Sequence, residues 1–144
     1  MPLTIPWGLC DPAGIVYFPR FFELFHGAME TWFAERLGVS YQQVITVRKL
    51  GFPSVHTEAD FRRPSRFGDA VVVELRLTRI GRSSLTLDYV VRGAESDDDV
   101  RATGRTVAAV MDLDPNSAGY QRGLPIPDDL RARLEAFGVT PAPA

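Results

Sequence analysis

Between Phe21 and Leu37 the chain places Phe21, Phe22, Phe25, Ala28, Met29, Trp32, Phe33 and Leu37 at three- and four-residue spacing. That period puts all of them on one broad face of an α-helix. Pro19 fits the first helical position, where a missing N–H costs nothing, and Gly38 fits the stop. A helix with so heavy an aromatic stripe must be wrapped by something else, and the rest of the chain has to supply the wrapping.

It does so with strands. "FPSVHTEADFRR", "DAVVVELRLTRIG", "SSLTLDYVVRGA" and "VRATGRTVAAVMDLD" are rich in Val, Leu and Thr, and Val71–Leu77 and Leu85–Val91 alternate clearly. The separators "PSRFGD", "IGRSS" and "ESDDD" read as turns, which predicts four strands in meander order. The acidic run Asp97–Asp99 reads as a solvated hairpin tip. Ahead of the helix lie an extended lead, "PLTIPW", and a loop from Gly8 to Gly14. After it, "SYQQVITVRKLG" predicts a short second helix with Ser40 as cap and Gly51 as stop. "PNSAGYQRGLPIP" is irregular, Asp128–Phe137 predicts a last short helix, and "VTPAPA" reads as a frayed tail from about residue 139. With 144 residues, no internal repeat and no linker, the expectation is one α+β domain over the whole chain.

Composition excludes several classes of function. A net charge of −2 supplies no basic field for nucleic acid or a membrane surface. The single cysteine, Cys10, permits no internal disulfide, and two histidines far apart in sequence make a poor metal site, so no metal is expected. No basic-then-apolar leader opens the chain and no apolar run approaches a membrane span, so a soluble cytoplasmic protein is expected. Lys49 is the only lysine; every other cation is an arginine, whose planar fork suits phosphate and carboxylate.

The loop before the long helix carries the most specific motif. "WGLCDPAGIVYFPRFFELF" closely resembles the signature of the 4-hydroxybenzoyl-CoA thioesterase family, whose core D-P-A-G-I-V-Y-x-P is present from Asp11 to Pro19. A looser likeness continues through "FRRPSRFGDAVVVELRLTRIGRSSLTLDYVV" to about Leu113. The resemblance implies the hotdog fold, a long central helix wrapped by an antiparallel sheet. It also implies an acyl-CoA thioesterase in which Asp11 is the catalytic carboxylate and the Phe18 backbone N–H polarises the thioester carbonyl. It implies a homodimer or homotetramer with sites where two subunits meet. The only coenzyme is the coenzyme A carried by the substrate.

The chemistry agrees with that assignment. A helix N-terminus offers free N–H donors and a positive dipole end to a developing oxyanion. Removing such a donor costs roughly 3 kcal/mol of transition-state stabilisation. Asp11 serves equally as nucleophile, through a mixed anhydride, or as general base on water. Without the motif, an Asp-Pro pair is an ordinary turn. A Cys10 nucleophile with His26 or His56 as base lacks any supporting context.

Around this pair, Tyr17 and Phe18 occupy the loop-to-helix corner and are pocket candidates. The resemblance puts His26 near the acyl pocket, where some relatives carry an acid, and Leu9 where many carry a second acid. Arg82, Ser83 and Ser84 in "RIGRSS" are the candidate phosphate contacts, with Arg62, Arg63 and Arg66 as a second arginine cluster. His56 and Glu58 read as structural. The resemblance favours an aromatic acyl group, with a short or medium aliphatic chain as the alternative. A hydratase of the same fold carries G-D-x-N-P-x-H; "FGDAVVVE" has the Gly-Asp but no histidine, so Asp69 reads as a turn residue. A non-catalytic acyl-CoA-binding module is the rival outside the enzymes, and the intact Asp11 motif speaks against it.

Overall fold

The computed structural model describes residues 1–142; Pro143 and Ala144, the end of the expected tail, lie outside the described residues. The aromatic stripe forms α1 (Arg20–Trp32), with Pro19 one position earlier than expected, as its capping residue. The helix continues through a wider turn, Phe33–Leu37, and ends where Gly38 adopts a left-handed conformation (φ 69°) and donates its N–H to Phe33 O. Helix α2 (Tyr41–Thr46) is capped by Ser40, whose Oγ accepts the Gln43 N–H at 3.4 Å. It stops before Gly51, because Arg48 N–H closes back on Gln43 O (3.0 Å) and Lys49 turns left-handed (φ 56°). Leu50–Gly51 then forms a short strand, β2, paired with β7 (Met111–Asp112).

The main sheet contains β1 (Pro2–Thr4), β3 (Ser54–Phe61), β4 (Ala70–Ile80), β5 (Ser84–Gly93) and β6 (Val100–Ala109), all antiparallel, in the order β1-β4-β5-β6-β3. The β4-β5-β6 meander follows the sequence expectation. β3 does not join it as the first strand. The two edges of β4 are taken by β1 and β5, so β3 crosses to the far side and pairs with β6, Glu58 opposite Arg105. The extended lead is thus an edge strand, tied further by the terminal amine donating to Val73 O (2.8 Å).

One face of this sheet wraps α1. Val71, Val73, Leu77, Leu85, Leu87, Tyr89 and Val91 point inward at strand period and meet Phe21, Leu24, Phe25, Met29 and Trp32. Phe25 stacks on Tyr89 at 4.7 Å and 14°. Opposite Tyr89, a Cβ on Gly104 would stand 2.3 Å from Phe25 Cε2, so only glycine admits the ring. Burial pushes the Tyr89 phenol far above its usual range. The result is the hotdog architecture. Helix α3 (Asp128–Phe137) closes the far side with Leu130 and Leu134 fully buried, and Thr140 N–H donates to Leu77 O at 2.8 Å. Among the described residues no helix is long and apolar enough to cross a membrane.

The acidic hairpin tip is not uniformly solvated. Asp97 is exposed, but Asp99 turns inward and takes Arg101 at 2.7 Å, which holds its carboxyl below the usual range.

Candidate active site

Residues 10–16 form a small hairpin of their own. Cys10 bridges Val16, Asp11 N–H donates to Ile15 O (3.0 Å), and Gly14 N–H returns to Asp11 O (2.9 Å). Gly14 sits at φ 77°, a conformation that a side-chain-bearing residue resists. The Asp11 carboxylate is partly exposed, and its Oδ1 accepts the Ala13 N–H at 2.8 Å. This fixes the side chain and leaves Oδ2 without a partner among the described residues.

The hairpin is stapled to the start of α1. Tyr17 N–H donates to Leu9 O (2.9 Å), and the first turn then runs Arg20 N–H to Tyr17 O and Phe21 N–H to Phe18 O. Among the described residues nothing accepts the Phe18 N–H, and Pro19 has none to give. A carboxylate and an open amide at a helix N-terminus therefore share one short segment. Trp7, Cys10, Pro12, Gly14 and Phe67 join Asp11 around an open hollow of about 640 Å³.

Residues 5–134 match the thioesterase-like superfamily. The chain belongs to that superfamily. It is 36% identical over 86 residues to the 1,4-dihydroxy-2-naphthoyl-CoA hydrolase of Synechocystis, covering 60% of this chain and 62% of that protein. The hydrolase of the same name from Nostoc punctiforme is 28% identical over 132 residues, 92% of this chain and 83% of that one. The first relatives are thus matched over rather less than two thirds of their own length. In three dimensions, the 1,4-dihydroxy-2-naphthoyl-CoA thioesterase of Synechocystis superposes with a TM-score of 0.80 at 26% identity, covering 93% of each chain. A gentisyl-coenzyme A thioesterase (TM-score 0.79, 23% identity, 92% and 97% covered) shares the fold.

Within this superfamily member the candidate residues are spread along the sheet. Asp11, Tyr17 and Phe18 lie at one end, where Phe18 meets Phe61 (6.1 Å between centroids) and Phe61 meets Phe21 (5.4 Å). Phe61 and Phe67, both exposed, were not among the sequence candidates; their only signal is an aromatic side chain where no buried face runs. His26 lies eight residues along the helix from Phe18, about 12 Å at 1.5 Å per residue. Its ring pairs with Glu30 (3.0 Å) and meets Tyr41 edge-on. It borders a narrow cleft of about 90 Å³ shared with Phe22, Ser54, Thr57 and Thr106.

Arg82, Ser83 and Ser84 lie at the turn between β4 and β5, at the opposite end of the sheet from Asp11. Gly81 and Arg82 carbonyls accept from Arg131 of α3, and Ile126 N–H donates to Arg82 O (2.9 Å), so the turn is held from behind. β4 separates it from the Asp11 end by about 30 Å at 3.3 Å per residue. One chain therefore does not bring Arg82, Ser83 and Ser84 to Asp11. Arg62, Arg63 and Arg66 lie nearer, in the loop under the hairpin, where Arg63 reaches Asp99 (3.3 Å).

The cysteine alternative is not assembled: Cys10 Sγ faces Pro6 O (3.8 Å), while His26 and His56 pair with Glu30 and Glu58 on their own elements. Leu9 packs against the core instead of carrying charge. Asp69 does more than turn the chain. It accepts the Arg66 N–H (2.8 Å) and Arg101 (2.9 Å), which together hold its carboxyl below the usual range. Among the described residues, no three His, Cys, Asp or Glu side chains gather to hold a metal ion.

Proposed function

We propose that this protein hydrolyses an aromatic acyl-CoA thioester, RCO–S–CoA + H2O giving RCOOH + CoA–SH. The observation that carries the reading is the Asp11 hairpin stapled to a helix whose Phe18 N–H has no acceptor among the described residues. The thioester oxygen sits on that amide and the helix dipole as it gains charge. Asp11 Oδ2 either attacks the acyl carbon, giving a mixed anhydride that water opens, or takes a proton from the attacking water. In both routes the C–S bond breaks and the thiolate leaves as coenzyme A, taking up a proton. Water, a carboxylate and an amide suffice, so the reading calls for no cofactor beyond the substrate's own coenzyme A, and a cytoplasmic site of action suits that substrate.

The aromatic acyl group is supported by the motif's likeness to 4-hydroxybenzoyl-CoA thioesterases and by relatives named for 1,4-dihydroxy-2-naphthoyl-CoA. It is supported also by the exposed aromatic set Tyr17, Phe18 and Phe61 at the same end of the sheet, and by Trp7 and Phe67 around the Asp11 hollow.

The site is completed by a second copy of the chain. β3 pairs with β6 on one side only, its other edge is open, and Val55 and Phe61 stand exposed on it. Two β3 strands paired antiparallel about their middles set each copy's Phe61 end beside the other's Ser54 end. His26 and the Arg82–Ser84 turn of one copy then approach Asp11 of the other, the arginine taking a phosphate of coenzyme A and the His26 cleft the ring.

The test is a thiol-release assay on 1,4-dihydroxy-2-naphthoyl-, 4-hydroxybenzoyl-, benzoyl-, butyryl- and octanoyl-CoA with wild type and Asp11→Asn. The aromatic thioesters should turn over fastest, and Asp11→Asn should lose on the order of 100-fold in kcat. A preference for the aliphatic esters overturns the acyl assignment. No turnover of any ester makes the protein a binding module, and near-full activity in Asp11→Asn removes Asp11 from the mechanism.

A further inference from the structure

The Asp11 hairpin does not stand alone; it is backed by the loop 62–69. Val16 N–H donates to Ser65 O (2.8 Å), Ile15 bridges Arg66, and Phe67 N–H reaches Gly14 O (3.4 Å). Three consecutive loop residues thus form the strand against which Gly14, Ile15 and Val16 lie. The far end of the loop is pinned by Ile5, which accepts the Gly68 N–H and donates to Asp69 O (both 2.9 Å), and its near side is held by one side chain from β6. Arg101 Nη1 donates to Pro64 O (3.1 Å) and to Asp69 Oδ2 (2.9 Å), bracketing Ser65–Phe67 on both sides. Its Nε and Nη2 meanwhile take Asp99, at 2.9 and 2.7 Å. The Arg101 carbonyl accepts from Arg62 and Arg63 N–H (2.9 and 3.2 Å), fixing the start of the same loop.

We propose that Arg101 is a positioning residue for catalysis: its guanidinium locks the 64–69 loop behind the Asp11 hairpin and so sets where the Asp11 carboxylate stands. The inference rests on the Asp11 reading above. The guanidinium is half-buried between its two carboxylates, and its hold on the loop rests on the number and direction of its bonds. The planar fork matters because it serves Asp99, Asp69 and Pro64 O at once from one rigid group. A lysine ammonium at the end of a flexible stem cannot reach all three.

Arg105 provides the control. It lies four residues on in the same strand and holds Asp88 with two bonds of 2.7 and 2.8 Å, yet it has no bond to the 62–69 loop. Arg101→Lys and Arg105→Lys each break one forked pair on β6, and thermal unfolding should fall in both, further in Arg101→Lys, which also gives up Asp69 and Pro64 O. Well below that transition, Arg101→Lys should lose about tenfold in kcat with KM within threefold, while Arg105→Lys stays within twofold in both. Amide exchange supplies a readout independent of turnover: the Val16 N–H should exchange at least tenfold faster in Arg101→Lys and unchanged in Arg105→Lys. Asp69→Asn, which cuts the same clamp from the loop side, should reproduce both effects should Arg101→Lys not fold. Equal losses of kcat in the two lysine variants, or wild-type kcat and Val16 exchange in Arg101→Lys, overturn the proposal. An inactive Asp11→Asn beside a fully active Arg101→Lys removes the clamp alone; an active Asp11→Asn removes the Asp11 reading first.

Discussion

Gly14 lies at the turn of the Asp11 hairpin with φ 77°, and a Cβ added there meets nothing within 4 Å. Replacing it by alanine is therefore a pure backbone perturbation. An L-residue in this region costs about 1–2 kcal/mol. Alanine also narrows the unfolded ensemble, which returns about 0.4–1 kcal/mol. The net loss is about 0.5–1 kcal/mol. At roughly 2.1 cal/mol/K of unfolding entropy per residue, that lowers Tm by about 2–3 °C. Activity should fall further than stability, because relaxing the turn moves the Ala13 N–H off Asp11 Oδ1 and Gly14 N–H off Asp11 O. Misplacing a reacting group by about 1 Å can cost about 100-fold, so kcat should drop at least about tenfold. Asn tolerates the left-handed region, so Gly14→Asn should stay near wild type in both respects. Thermal unfolding followed by circular dichroism, together with thiol release, reads the two quantities. Equal behaviour of the alanine and asparagine variants would refute the backbone argument. Tm falling with kcat unchanged would refute the coupling of this turn to Asp11.

Gly104→Ala should lower Tm by about 3–10 °C, since its Cβ would overlap the Phe25 ring by more than the Tyr89 stack can yield, an overpacking worth about 1–3 kcal/mol; wild-type Tm would show the ring is free to move. Acid should loosen the loop behind the site. The Arg66 N–H and Arg101 hold Asp69 low, and Arg101 holds Asp99 low, so both titrate in the folded state below their unfolded value of about 3.9. The unfolded chain then binds more protons, and stability present above about pH 4 is lost as pH falls through the folded values; urea midpoints from pH 6 to 2.5 should show a steeper acid limb in wild type than in Arg101→Lys.

The parts of this molecule that were legible in sequence are those encoded locally. The α1 stripe announces itself by period, and β4 and β5 by alternation, because each buries a single face. The Asp11 motif was legible because its turn chemistry is contiguous. β3 was misplaced because its partner is decided by which edges β4 has free, and no residue of β3 records that. Its own pattern has no alternation, being exposed on nearly every residue. Asp99 looked like one of three equivalent acids; only the fold brings Arg101 and Arg63 to it. For the same reason the sequence, which listed Asp11, His26 and Arg82 together, did not show that within one chain Asp11 and Arg82 stand at opposite ends of a sheet with His26 between them.

That separation carries its own prediction, because a site shared across two copies behaves differently from one contained in each. Asp11→Asn leaves a chain with an intact Arg82 turn, and Arg82→Ala leaves one with an intact Asp11. Loss of one arginine–phosphate contact should cost about 1.5–3 kcal/mol, so Arg82→Ala alone should retain at most about a tenth of kcat/KM. Unfolding the two variants together and refolding at equal concentration makes about half of all dimers mixed. In each mixed dimer one site has lost both groups, and the other pairs a native Asp11 with a native Arg82 turn. About a quarter of wild-type kcat/KM should therefore reappear. If each chain held its whole site, the mixture would show only the average of its parents, about a twentieth. Recovery at that lower level, with dimers confirmed by light scattering, would refute a site shared across this pairing, whereas wild-type kcat/KM in Arg82→Ala alone would leave the phosphates to Arg62, Arg63 and Arg66 beneath the hairpin. Recovery to a quarter requires that the Asp11 hairpin of one copy and the Arg82 turn of the other meet over a single thioester, as the proposed antiparallel pairing of β3 edges would have it.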